Sequence, residues 1–191
     1  MGTDPDPASV ATSAEASNQA SNQASIQVVE RAEQPYVFVR RSVRMDGFAE
    51  IADRLPELIG WLMNRGIEVT DAPFFRFNTV DMTGESDVEA GVPVAEAPEP
   101  EGDIGVAVLP AGRYATARHL GHPDGLFAVA EALRAWAAAR GLEWDMIREP
   151  DGAERWGCRI ESYRTDPRVE PDPARWETEL AFRLADRPPG T

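Results

Sequence analysis

Two stretches of the chain repeat apolar residues at helical spacing. Phe48, Ile51, Ala52, Leu55, Leu58, Ile59 and Leu62 form one stripe, and Leu126, Val129, Ala130, Leu133 and Ala137 form the other. Each predicts a helix with one buried face. Gly66 and Gly141 follow these stripes, where a helix end calls for a left-handed residue. Pro56 interrupts the first stripe, and its ring either kinks that helix or marks its start.

Between and around the stripes lie runs rich in β-branched and aromatic residues, each predicting a strand. They cover residues 37–43, 74–78, 87–94, 104–109, 114–119, 156–163 and 178–184. Alternation divides each run into two faces. Near residue 160, Trp156, Cys158, Ile160 and Ser162 fall on one side and Arg159, Glu161 and Tyr163 on the other. In the 87–94 run, Val88, Ala90 and Val92 oppose Asp87, Glu89 and Gly91. If the helices cover the aliphatic sides, the aromatic and charged sides remain to line a shared cleft.

The two halves resemble each other. Tyr36 and Arg40 precede Trp61 and then Arg65-Gly66-Ile67-Glu68, with Val88-Glu89 after them. Tyr114 and Arg118 precede Trp136 and then Arg140-Gly141-Leu142-Glu143, with Ile160-Glu161 after them. Each half reads strand, helix, strand, strand, so the expected fold is α+β: two β-α-β-β modules related by a pseudo-two-fold, with an antiparallel sheet and a central cleft. In this reading Glu89 is the repeat mate of Glu161.

Composition sets the limits of the folded part. Residues 1–25 are mostly Ala, Ser, Asn, Gln, Asp and Pro, with too little to bury to offset the entropy of ordering, and predict a disordered tail. Residues 95–103 alternate Pro98 and Pro100 with Glu96, Glu99 and Glu101. They predict an extended acidic linker between halves at 26–94 and 104–185, and residues 186–191 predict a frayed end. One cysteine among 191 residues argues against a disulfide framework and for a reducing, cytoplasmic setting. No run reaches the roughly 20 apolar residues of a membrane span, so no membrane partner is expected. A net charge of −14 sets the chain against direct nucleic-acid binding.

Several stretches together resemble the GyrI-like family, the effector-binding domain of AraC-type and MerR-type multidrug regulators. They are VEAGVPV at 88–94, LPAGRYA at 109–115, ESYRTDP at 161–167 and WETEL at 176–180. The resemblance extends over about residues 26–184 and implies a bacterial domain that binds amphipathic, often cationic or planar molecules. It also implies that Glu161, which precedes the Asp166-Pro167 turn, projects into the pocket, with Tyr114, Phe75, Trp136 and Tyr163 as aromatic walls. The 191 residues contain no recognisable helix-turn-helix, so a role in transcription requires a regulator partner. Some stand-alone members hydrolyse cyclopropane-bearing electrophiles with a pocket Glu and Tyr, and the namesake protects DNA gyrase.

On spacing alone, Glu161 reads as a salt-bridged strand residue facing Arg159 or Arg164, and the resemblance turns it into a pocket carboxylate. Glu89 reads first as structural, beside the Gly91-Val92-Pro93 segment, and second as a ligand contact. Tyr114 reads equally as a core tyrosine and as a stacking or proton-donating group. Trp61 and Trp136 sit on helices, where packing is the commoner role of an indole. His119, His122 and Cys158 are too few and too irregularly spaced for a metal centre, and His122 before Pro123-Asp124 suits the turn that opens the second helix. With no phosphate-binding glycine loop or nucleophile elbow, no cofactor is expected. Small-molecule binding is the leading expectation. Hydrolysis with Glu161 as base and Tyr114 as polariser is the alternative, and a gyrase-protecting interaction the third.

Overall fold

A computed structural model describes residues 26–44 and 47–186. The expected tail at 1–25 and all of the expected frayed end except Asp186 lie outside these residues. Ten antiparallel strands form one sheet: β1 (Gln27–Arg31), β2 (Gln34–Val43), β3 (Phe74–Val80), β4 (Ser86–Pro93), β5 (Gly105–Leu109), β6 (Gly112–Leu120), β7 (Met146–Arg148), β8 (Glu154–Trp156), β9 (Arg159–Tyr163) and β10 (Glu177–Arg183). The helices are α1 (Ala49–Ala52), α2 (Arg54–Asn64) and α3 (Leu126–Ala138).

The first stripe is two helices rather than one. Pro56 sits in the first turn of α2, where its missing N–H falls among donors that have no intrahelical acceptor in any case. At the other ends the two halves close alike. Gly66 and Gly141 have φ of 65° and 63°, and the next amide reaches back to the helix in each case, Ile67 to Leu62 and Leu142 to Ala137, both at 3.0 Å. Arg65 stacks on Trp61 and Arg140 on Trp136, each 4.1 Å from the ring centre.

The strand order is β1-β6-β10-β9-β3-β4-β2-β5, with β7 and β8 branching from β3. Its middle is the β3–β9 pair, where Phe75 lies opposite Glu161. Outward from that pair, β4 and β2 follow on one side and β10 and β6 on the other. Each half also lends its first strand to the other's edge. Gln27 of β1 pairs with Thr116 of β6, and Gly105 of β5 pairs with Phe38 of β2. This order corrects one sequence correspondence. Strand β4 matches β10, so Glu89 corresponds to Glu179 and not to Glu161, whose counterpart is Phe75.

The acidic segment before β5 meets the first half through ion pairs, Asp103 with Arg41 and Arg54, and Glu101 with Arg65. Helices α1 and α2 pack on β2 and β4, and α3 packs on β6. Under α3 lies a cluster containing Leu133, Trp156, Leu180 and Phe182. Under α1 and α2 lie Val37, Val39, Leu58 and Leu62 together with Ile51, Phe75 and Val88. The opposite face buries Tyr36, Phe74, Leu109, Tyr114, Cys158, Ile160 and Ala181 in one cluster, as a curled sheet must when its two ends approach each other.

The expected division of faces therefore needs correction. Glu161 and Tyr163 stand on the helix-covered side, level with Phe75 and Leu180, and the far side is closed by its own core. The single run expected at 156–163 is broken at Gly157 and Cys158 into β8 and β9. Trp156 accordingly joins the helix-side cluster while Cys158 and Ile160 join the other.

Candidate functional site

Because each helical layer packs on its own half, the centre of the sheet is left uncovered on the helix side. A cavity of about 790 Å³ opens there. Phe77 of β3 and Arg159, Glu161 and Tyr163 of β9 line its base, α3 supplies Leu126, Ala130 and Arg134, and Phe48 and the turn around Met82 line the other wall. Phe127, 66 % exposed, also lines it.

Local sequence explains how these groups are held. The His122 side chain accepts from the Asp124 amide at 3.3 Å and opens the turn Pro123–Gly125 that leads into α3, as expected for that histidine. Phe48, just before α1, packs edge-on against Phe75 with ring centres 4.8 Å apart, and Phe75 packs edge-on against Tyr163 at 5.4 Å. Phe48 also lies parallel to Phe77 at 6.1 Å. These contacts fix the aromatic side of the cavity without filling it.

Glu161 is buried. Loss of water pushes its carboxyl above the ordinary range, although the Arg159 charge and the nearby Tyr163 hydroxyl pull in the other direction. Burial raises the Tyr163 phenol as well. Arg159 is pushed down by desolvation, partly offset by the field of Glu161. Its guanidinium lies over Phe182, 4.5 Å from the ring centre, and 5.5 Å from those of Phe77 and Trp156. Further along, Glu154 receives both terminal nitrogens of Arg134 at 2.8 Å and one of Arg148 at 2.7 Å. This holds the Glu154 carboxyl below its usual range. The base of the cleft thus combines stacking surfaces with one carboxyl that takes up a proton more readily than usual.

Of the expected site residues, the structure brings Glu161 and Tyr163 together in this cavity, with Phe75 supporting Tyr163 from beneath. The others are elsewhere. Tyr114 is on the opposite face of the sheet, because it shares its side with Ala181 and Ile160. There its hydroxyl donates to the Pro110 carbonyl at 2.6 Å, and the residue borders a separate cavity of about 290 Å³. Glu89 also faces that side, accepting from Tyr36 at 2.6 Å and from Asn78 at 2.8 Å. Trp136 packs against the α3 cluster beneath Arg140. The pairing of Glu161 with Tyr114 is therefore corrected: the tyrosine beside Glu161 is Tyr163.

Sequence reasoning did not single out Phe48, Phe77, Arg134, Glu154 or, as a site residue, Arg159. For Arg159 a signal existed, since strand alternation already placed it beside Glu161. For Phe48 and Arg134 there was none, because helix periodicity reports which side is apolar and not which neighbour faces it.

A search of curated protein sequences found no significant match. Solved structures share the fold at low identity. The chain is similar to EcmrR in its DNA complex, at 20 % identity and a TM-score of 0.68, covering 93 % of this chain and 65 % of that one. It therefore spans just under two thirds of EcmrR. Against the EcmrR C-terminal domain the identity is again 20 % and the TM-score 0.67, covering 85 % of this chain and 98 % of that one. SAV2435 bound to tetraphenylphosphonium matches at 10 % identity and a TM-score of 0.53, covering 84 % of this chain and 94 % of its own. A hydrolase from Listeria innocua matches at 14 % and 0.58, covering 90 % of this chain and 98 % of its own. Residues 24–185 match the GyrI-like small molecule binding domain, and with a curled antiparallel sheet, flanking helices and a central cleft, the chain belongs to that family.

Proposed function

We propose that the protein binds planar, amphipathic small molecules in the central cleft, with Glu161 anchoring a positive or hydrogen-bond-donating group and the Phe48, Phe77 and Tyr163 rings taking the flat surface. The observation that carries this reading is a buried carboxyl at the base of a cavity of about 790 Å³ bordered by aromatic rings. A carboxylate in such surroundings is costly unless a ligand charge or a proton compensates it, and a ring face adds cation attraction of about 0.5–2 kcal/mol. The ligand named for SAV2435, tetraphenylphosphonium, is a lipophilic cation with aromatic rings and supports the cationic, aromatic part of this reading.

Calorimetric titration tests this with tetraphenylphosphonium and 2-naphthylmethylammonium on the wild type and on Glu161→Gln. A loss of about tenfold or more in the variant, 1.4 kcal/mol, is expected. Equal affinities would remove Glu161 from the site.

A second reading is favoured by the placement of Glu161 and Tyr163 two positions apart on β9, both lining the cavity. A carboxyl with a raised pKa next to a phenol is suited to activating water against a bound electrophile, and a Listeria innocua relative in fold is named a hydrolase. Mass spectrometry of strained electrophiles after incubation separates the two. Water-added product from the wild type but not from Glu161→Gln marks hydrolysis, and intact ligand marks binding alone.

A further inference from the structure

The cleft contains a charged group that a simple cation trap does not need. Arg159 lines the same cavity as Glu161, two positions away on one strand, a separation of about 6–7 Å along the chain. Among the described residues it has no hydrogen-bond acceptor within 3.5 Å and no ion-pair partner within 4.0 Å, and its Nε is buried without a partner. The other arginines of the cavity are satisfied, since Arg134 and Arg148 both hold Glu154. What positions Arg159 is aromatic: Phe182, Phe77 and Trp156 surround its guanidinium. Ring faces attract the charge but accept hydrogen bonds only weakly.

A guanidinium presents five donors in a planar fork suited to a carboxylate. Arg159 is only partly buried, so the unpaired fork stays open to the cleft, where a ligand carboxylate can reach it. We propose that Arg159 anchors a carboxylate on the ligand, so that the molecule the cleft takes is a planar aromatic ampholyte with an acidic group at Arg159 and a donor or positive group at Glu161. This rests on the cleft being the binding site, as argued above, and adds the second charge. The pair also gives selectivity. A ligand with only a positive group gains Glu161 but meets the Arg159 charge, whereas an ampholyte satisfies both.

The experiment compares 2-naphthylmethylammonium with its ring-carboxylated derivatives, one for each open ring position, by calorimetry on the wild type and on Arg159→Met and Glu161→Gln. Methionine keeps an apolar stem against the rings. On the wild type, the best carboxylated derivative is expected to bind at least tenfold more tightly than the parent amine. In Arg159→Met that gain disappears while the parent amine binds as well as before or better. A carboxylate that adds nothing on the wild type, or a gain that survives in Arg159→Met, overturns the proposal for Arg159. In that case the cleft reading stands if the parent amine still binds and depends on Glu161. If neither compound binds the wild type, the cleft reading falls and the Arg159 proposal with it. Circular dichroism and thermal melting of Arg159→Met establish that the variant is folded, and Arg159→Lys, which keeps the charge without the fork, is expected to retain only part of the gain.

Discussion

Tyr36 and Tyr114 occupy corresponding places in β2 and β6, are both buried, and belong to one core cluster. Changing either to phenylalanine removes a hydroxyl and keeps the ring, so the apolar terms cancel and the difference reports the hydrogen bonds alone. The Tyr36 hydroxyl donates to the Glu89 carboxylate at 2.6 Å and accepts from Arg76 at 2.7 Å. The Tyr114 hydroxyl donates to a neutral carbonyl, that of Pro110, at 2.6 Å. Hydrogen bonds to charged groups contribute about 1.5–3 kcal/mol and neutral ones about 0.5–1.5. Tyr36→Phe also leaves one oxygen of a buried carboxylate without its donor. We therefore expect Tyr36→Phe to cost about 2–3 kcal/mol and Tyr114→Phe about 1 kcal/mol. At about 2–4 °C per kcal/mol for a domain of this size, Tm falls by roughly 4–12 °C in the first case and 2–4 °C in the second. Urea unfolding with unchanged m-values measures both. Equal losses, or a loss below about 0.5 kcal/mol for Tyr36→Phe, would refute the argument that acceptor charge decides the difference.

Three further predictions concern the cleft and the sheet. The Glu161 carboxyl is raised in the folded protein, first by burial, so its contribution to stability is present below the ordinary carboxyl pKa of about 4.3 and is lost as pH rises through the folded value. Glu161→Gln, which cannot ionise, is therefore expected to be more stable than the wild type at pH 7 and equal to it near pH 4; a variant less stable at pH 7 contradicts the burial argument. Glu154 is the reverse case, lowered first by its hydrogen bonds to Arg134, so its contribution is present above the ordinary value and lost as pH falls through the folded one. Glu154→Gln should cost about 1.5–3 kcal/mol at neutral pH and progressively less in acid, as measured by urea unfolding across pH 3 to 7. Finally, a Cβ on Gly91 would stand 2.5 Å from the Phe74 ring, whereas one on Gly60 of α2 meets nothing within 4 Å. Thermal melts should show Gly91→Ala destabilised by about 1–3 kcal/mol and Gly60→Ala stabilised by about 0.5–1 kcal/mol.

Much of this protein was legible in its sequence because the relevant signals are local. The two apolar stripes marked both helical regions, Gly66 and Gly141 marked where they end, and strand alternation placed Arg159, Glu161 and Tyr163 on one side of one strand. The family motifs added the expectation that Glu161 projects into a pocket. What periodicity does not contain is the relation between elements. It states which residues of a strand share a side, but the choice of which side receives the helices, and which strands meet, depends on contacts between residues far apart in the chain. One break, at Gly157 and Cys158, was enough to send Trp156 and Ile160 to opposite cores. The same limit placed Tyr114 beside Glu161 in the sequence reading, when the register of β6, β10 and β9 puts them on opposite faces. Only the tertiary structure brought Phe48 and Arg134 to the walls of one cavity. It also surrounded Arg159 with three rings and no acceptor, since a charge acquires its partners, or fails to, only when the sheet and the helices have closed around it.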